Sequence, residues 1–147
     1  MCIRDRYWRT RPAVERWQHI EQLRAEHHAY TDETRLQQVL VNLIDNAVKY
    51  SEAPAPVFIK ATSTDDQAVI EVSDRGPGIP AELHERVFER FYRVDEARTR
   101  SGGTGLGLSI VKTFIEGMRG TVTLSSEENQ GCTFTITLPT MPPNHSV

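Results

Sequence analysis

The most regular pattern of apolar and polar positions begins at Thr31. Thr31 and Asp32 offer side-chain oxygens suited to a helix N-cap, and Leu36, Leu40, Leu43, Ile44 and Ala47 recur at steps of three and four. This spacing predicts a helix from about Glu33 to Tyr50, stopped by the proline-bearing stretch 51–56. Residues 57–62 and 68–73 read as strands of a hairpin joined by the polar turn 63–67. Residues 74–80 form a turn, and 81 to about 91 a short helix opened by a proline. The stretch 92–104 is polar, Arg-rich and aperiodic; a loop of this length is commonly a functional lid or disordered. A helical period returns over 105–118 through Leu108, Val111, Ile115 and Met118, with Gly120 as its stop. A second hairpin pairs 121–125 with 132–138 across the turn 127–131.

Hairpins interspersed with helices predict an α+β, two-layer α/β sandwich: a mixed, largely antiparallel sheet covered by helices on one face. The expected domain spans residues 30–139, followed by a frayed tail at 140–147. Residues 1–29 show only a weak helical period at Val14, Trp17, Ile20 and Leu23. Met1-Cys2-Ile3-Arg4-Asp5-Arg6 can be encoded by a transposon-end adaptor used to prepare sequencing libraries, so this stretch is expected to be truncated or partly artefactual.

A chain of 147 residues fits one domain of ordinary size. Its 38% hydrophobic and 25% charged residues set it apart from disordered polymers. Seventeen Lys+Arg against twenty Asp+Glu leave a formal charge of -3, which provides no basic field for a nucleic-acid backbone. Any anion must be held by a local site. No apolar run approaches the ~20 residues of a membrane span and no signal-peptide pattern is present, so a cytoplasmic setting without direct membrane contact is expected. Cys2 and Cys132 lack metal-ligand spacing, and His19, His27, His28, His84 and His145 are assigned to surface or packing roles.

Three segments carry candidate chemistry. At ~100° per residue, Asn42, Asn46, Lys49 and Tyr50 share one arc of the first helix, beside the apolar arc of Leu36, Leu40, Leu43 and Ala47. Two amides, an ammonium and a phenol ring can supply an oxygen to Mg²⁺, charge to phosphate and a flat surface to a base. An amphipathic surface helix with solvated amides accounts for the same pattern. In Asp74-Arg75-Gly76-Pro77-Gly78 the glycines let backbone approach a ligand and the carboxylate can accept from an amino group, although the same residues make a plain turn. Ser101-Gly102-Gly103-Thr104-Gly105-Leu106-Gly107-Leu108 runs into a helix N-terminus, where free N–H groups suit phosphate. It lacks the Gly-Lys-Ser/Thr ending of a P-loop, and Ile110 stands where a dinucleotide fingerprint has its third glycine.

In this order the segments resemble the sensor histidine kinases. Gln38-Val39-Leu40-Val41-Asn42-Leu43-Ile44-Asp45-Asn46-Ala47-Val48-Lys49-Tyr50-Ser51 resembles their N box, Asp74 to Gly78 the G1 box, Val87-Phe88-Glu89-Arg90-Phe91-Tyr92-Arg93 the F box and Gly103 to Gly107 the G2 box. The resemblance covers about residues 30–139. It implies the Bergerat-type fold of the gyrase, heat-shock chaperone, histidine kinase and mismatch-repair ATPases, with ATP and Mg²⁺ as ligands. Asn46 is then expected to ligate Mg²⁺, with Asn42 beside it and Lys49 reaching phosphate, the three forming the catalytic cluster. Tyr50 would flank the adenine, Asp74 would accept from its amino group, and Gly76, Gly78 and Ile79 would shape that pocket. Gly103, Thr104, Gly105, Leu106, Gly107 and Leu108 would line the triphosphate. Phe88 and Phe91 would anchor the lid, with Tyr92 and Arg93 at its start and Arg98 or Arg100 within reach of phosphate.

In the hydrolysing branches of that superfamily a Glu one turn before the metal-binding Asn activates water; here Asn42, a neutral amide, holds that place. The resemblance therefore implies transfer of the γ-phosphoryl to a histidine rather than rapid hydrolysis. The implied partners are an acceptor-histidine domain outside the chain, a response regulator, and a second copy of the parent kinase dimerised through that missing domain. Two departures are Arg119-Gly120 where Gly-Gly is usual and Cys132 where a hydroxyl residue is common. The alternatives are a serine kinase or anti-sigma factor of the same superfamily and a nucleotide-binding module without transferase activity.

Overall fold

The computed structural model describes residues 31–51, 56–92 and 107–140. Helix α1, Glu33–Tyr50, has the expected bounds. Asp32 caps it by accepting from the Arg35 N–H at 3.0 Å, and Glu33 in the first turn and Lys49 in the last complement the helix dipole. Its inner stripe of Leu36, Val39, Leu40, Leu43, Ile44 and Ala47 is buried.

Strand β1, Phe58–Ser63, pairs with β2, Gln67–Ser73, as the first hairpin. Helix α2, Gly107–Gly117, leads into the second hairpin, β3, Thr121–Glu127, and β4, Gly131–Pro139. The sheet order is β1-β2-β4-β3, and all three pairings are antiparallel. The two hairpins therefore join through β2 and β4, with Ile70 opposite Ile136.

Alternation along the strands decides which face is covered. Ile59, Ala61, Ala68, Ile70, Val72, Phe134, Ile136 and Leu138 point to one side and form a single buried core with α1 and with Val111 and Ile115 of α2. Their neighbours on the other face include the cross-strand row Lys60, Glu71, Thr135 and Thr123. Lys60 and Glu71 form an exposed ion pair at 3.4 Å there. The result is a two-layer sandwich with α1 and α2 packed on each other over one side of the sheet.

The short helix expected over 81–91 is instead two 3₁₀ turns, Ala81–Leu83 and Arg86–Phe88. Only Val87 in this stretch is buried, so no continuous apolar stripe repays a longer helix. Extended backbone at Glu89 and a positive φ of 62° at Phe91 then turn the chain away. The end of α2 also departs from the simplest expectation. Arg119 adopts the left-handed conformation, φ 61°, while the Gly120 N–H reaches back to the Ile115 carbonyl at 2.9 Å. The expectations for 1–30, for the lid segment 93–106 and for the tail 141–147 lie outside the described residues.

Candidate functional site

Asp74 follows the last residue of β2 and is 9% exposed. Its Oδ1 accepts from the Gly76 N–H at 2.8 Å and from the Cys132 N–H at 3.3 Å. Among the described residues its Oδ2 accepts no hydrogen bond. Burial raises the carboxyl above its ordinary range, opposed in part by these two N–H bonds.

Close backbone approaches fix the turn that follows. A Cβ on Gly76 would stand 2.7 Å from the Tyr50 carbonyl oxygen, so the end of α1 lies directly against this turn. Gly78, φ 76°, and Gly131, φ 90°, adopt backbone that side chains rarely take, and a Cβ on either would strike a carbonyl, that of Glu127 or of Asp74 respectively. The second hairpin thus rests on the turn. Ser126 fastens it: its Oγ accepts from the Ile79 N–H and donates to the Gly131 carbonyl, both at 2.8 Å. His84 Nε2 lies 2.9 Å from the Ile79 carbonyl.

The polar edge of α1 faces the start of α2. Asn42, Asn46 and Lys49 are half-buried and Tyr50 is 44% exposed, with Lys49 Nζ 5.4 Å from the centre of the Tyr50 ring. Asn42 Nδ2 donates to the Gly107 carbonyl at 3.2 Å, whereas Asn46 makes no side-chain hydrogen bond among the described residues. A Cβ on Gly107 would meet nothing within 4 Å among the described residues. Leu108 is half-buried against the core. Arg93, Gly103, Thr104, Gly105 and Leu106 lie outside the described residues.

The two phenylalanines of the expected lid anchor differ. Phe88 packs edge-on to Phe134, ring centres 6.1 Å apart, with Lys112 Nζ over its face at 5.8 Å. Phe91 is 72% exposed, so among the described residues only Phe88 is anchored in the core. Tyr92 is half-buried beneath the Arg86 guanidinium, 4.5 Å from its ring centre.

Sequence reasoning missed the contributions of Ser126, Gly131 and the Cys132 amide. Gly131 ends a polar turn and could have been read as a left-handed position; Ser126 and a backbone amide carry no such signal. The Cys132 thiol is pushed up by burial, with its Ser126 hydrogen bond lowering and the Asp74 charge adding to the rise.

An α/β sandwich thus sets a buried carboxylate at a strand end and a glycine-started helix opposite a polar helix edge, groups of the kind that suit a base and an anion. Residues 31–142 match the histidine kinase-, DNA gyrase B- and HSP90-like ATPase family, and the chain belongs to it. It is 41% identical over 115 residues to the sensor protein CiaH of Streptococcus pneumoniae serotype 4, covering 78% of this chain and 26% of that protein. The structure of the mycobacterial sensor histidine kinase MprB superposes with a TM-score of 0.70 at 32% identity, over 78% of each chain. That of full-length ShkA in complex with AMPPNP does so with 0.66 at 35% identity, over 77% of this chain and 23% of ShkA. The chain spans between 14% and 29% of the length of the curated relatives CiaH, RppB, WalK, CikA, SenX3 and SrrB that it matches. It carries the ATP-binding domain of the sensor histidine kinase type.

Proposed function

We propose that this domain binds ATP with Mg²⁺ and presents the γ-phosphoryl to a histidine on a separate acceptor domain. The observation that carries the reading is Asp74: a buried carboxylate held at Oδ1 by two backbone N–H groups, with Oδ2 left to accept from an adenine amino group. Gly76, Gly78 and Ile79 shape the wall around it, Tyr50 flanks the adenine, and Lys49 extends the site toward phosphate. Gly107 and Leu108 open the α2 terminus whose N–H groups suit the triphosphate, with Gly103, Thr104, Gly105 and Leu106 preceding them. Phe88 fixes the near end of the lid, which Phe91, Tyr92 and Arg93 continue.

The residues fit Mg²⁺ carried with the nucleotide. Asn46 has an amide without a side-chain partner among the described residues, and no group of three His, Cys, Asp or Glu there forms a metal cage. Mg²⁺ commonly takes one or two protein ligands and completes its shell with water and phosphate. When bound, the ion neutralises phosphate charge. Asn42 is a weak base, which favours transfer to a histidine over hydrolysis by activated water. The sensor-kinase relatives and the AMPPNP complex of ShkA support this reading over a serine kinase or anti-sigma factor.

Residues 30–139 then form the catalytic unit. Its partners are the acceptor-histidine domain of a parent kinase that dimerises through it, and a response regulator. No helix among the described residues is long and apolar enough to cross a membrane, in keeping with a cytoplasmic position for this unit.

Calorimetric titration of the full chain with a non-hydrolysable ATP analogue, with and without Mg²⁺, tests the proposal. Saturable binding strengthened by Mg²⁺ is expected. No binding by a chain shown to be folded by circular dichroism overturns it.

A further inference from the structure

Asn42 and Asn46 lie one turn apart on α1, yet their amides are placed differently. Asn42 is engaged at both ends: Oδ1 accepts from Gln38 Nε2 at 2.9 Å and Nδ2 donates to the Gly107 carbonyl at 3.2 Å. The Gly107 carbonyl fixes which end of the amide faces α2, since it can only accept and a flipped amide would set oxygen against oxygen. Gly107 is the first residue of α2; its carbonyl has two lone pairs, so it can take the Asn42 bond and still join the helix ladder. Two turns further along both helices, the Arg35 guanidinium lies 5.5 Å from the centre of the Phe114 ring. The antiparallel helices are thus clasped at two points, and Asn42 is the clasp at the open end.

We infer that Asn42 is a positioning residue that docks the N-terminus of α2 onto α1, setting where the free N–H groups of that helix stand for a phosphate, and that it is not a second metal ligand. The inference rests on the ATP reading above. Its oxygen faces the Gln38 amide, and its contact with α2 is made through a donor, which a cation cannot use. Asn46, one turn on, is left for the metal.

The test compares Asn42→Ala, Asn42→Asp, Gln38→Ala and Asn46→Ala in the full chain by two measurements. Without nucleotide, amide hydrogen exchange over 111–114, the first amides bonded to the carbonyls of the α2 start, should speed up several-fold in both Asn42 variants, less in Gln38→Ala and not in Asn46→Ala. In titrations, affinity for the ATP analogue should fall by about tenfold in both Asn42 variants, the scale of one lost hydrogen bond. The Mg²⁺ dependence should remain that of the wild type, and affinity for adenosine should not change. Asn42→Asp separates the two roles, because a carboxylate repels the Gly107 carbonyl but would strengthen a metal site. Wild-type or higher affinity in Asn42→Asp with a steeper Mg²⁺ dependence overturns the inference, as does unchanged exchange at 111–114. A folded wild-type chain that binds no analogue sinks the nucleotide reading instead, and with it the phosphate-positioning role; the exchange data then still decide whether Asn42 docks α2.

Discussion

Asp74 and Cys132 are joined twice: the Asp74 N–H donates to the Cys132 carbonyl at 2.9 Å, and the Cys132 N–H donates to Asp74 Oδ1 at 3.3 Å. The backbone that ends β2 and the backbone that opens β4 therefore hold one carboxylate between them. Asp74→Asn keeps an oxygen to accept both N–H bonds while removing a buried charge. The variant should melt above the wild type, by about 2–4 °C for each kcal/mol of relieved desolvation. It should bind the ATP analogue about ten- to hundredfold more weakly, the worth of a hydrogen bond to a charged acceptor. Calorimetric scanning and titration check the two halves.

The same carboxyl makes stability depend on pH. Its proton is held more tightly in the fold than in the unfolded chain, so the fold binds more protons in that window and loses stability as pH rises through it. Urea unfolding of the wild type and Asp74→Asn should agree most closely at acid pH. The advantage of the variant should then grow as pH climbs from the ordinary value of 3.8 through the raised one. A gap that stays constant with pH would refute this account.

Gly131→Ala should be among the most damaging single changes. The left-handed backbone costs an L-residue about 1–2 kcal/mol, and the new methyl group also strikes the Asp74 carbonyl. Loss of more than about 2 kcal/mol by urea unfolding is expected, together with weakened nucleotide binding, because the displaced atom belongs to the site itself.

Arg119→Gly should act in the opposite direction. Arg119 is exposed, with φ 61°, a backbone conformation that glycine takes without strain. Relief of about 1–2 kcal/mol in the folded state is partly offset by the freer unfolded chain, leaving a net gain of about 0.5–1 kcal/mol. Nucleotide affinity should not move.

Asn46→Ala should remove the Mg²⁺ enhancement of ATP binding and abolish phosphorylation of an added acceptor-histidine domain. Cys132→Ser should change nucleotide affinity by less than about twofold, because Asp74 is held by the backbone N–H of that residue, which the substitution keeps. Unchanged Mg²⁺ dependence in Asn46→Ala would remove Asn46 from the metal site.

Several elements were legible in local sequence because their energetics act over a few residues. The Asp32 cap and the three- and four-residue spacing from Leu36 to Ala47 placed α1 at its observed bounds, and alternation located both hairpins to within two residues. The motif order marked Asp74 and the glycines around it before any contact was known. Long-range placement was decided only by tertiary structure. Cys132 reaches Asp74 across 58 positions and Asn42 reaches Gly107 across 65. Helical or alternating pattern says which face of an element is buried, but not which distant backbone amide comes to rest against it. Residues 81–91 failed as a helix for the same reason: apolar side chains at helical spacing hold a helix only where a surface exists to bury them, and here it accepts Val87 fully and Phe88 in part while Phe91 stays in solvent.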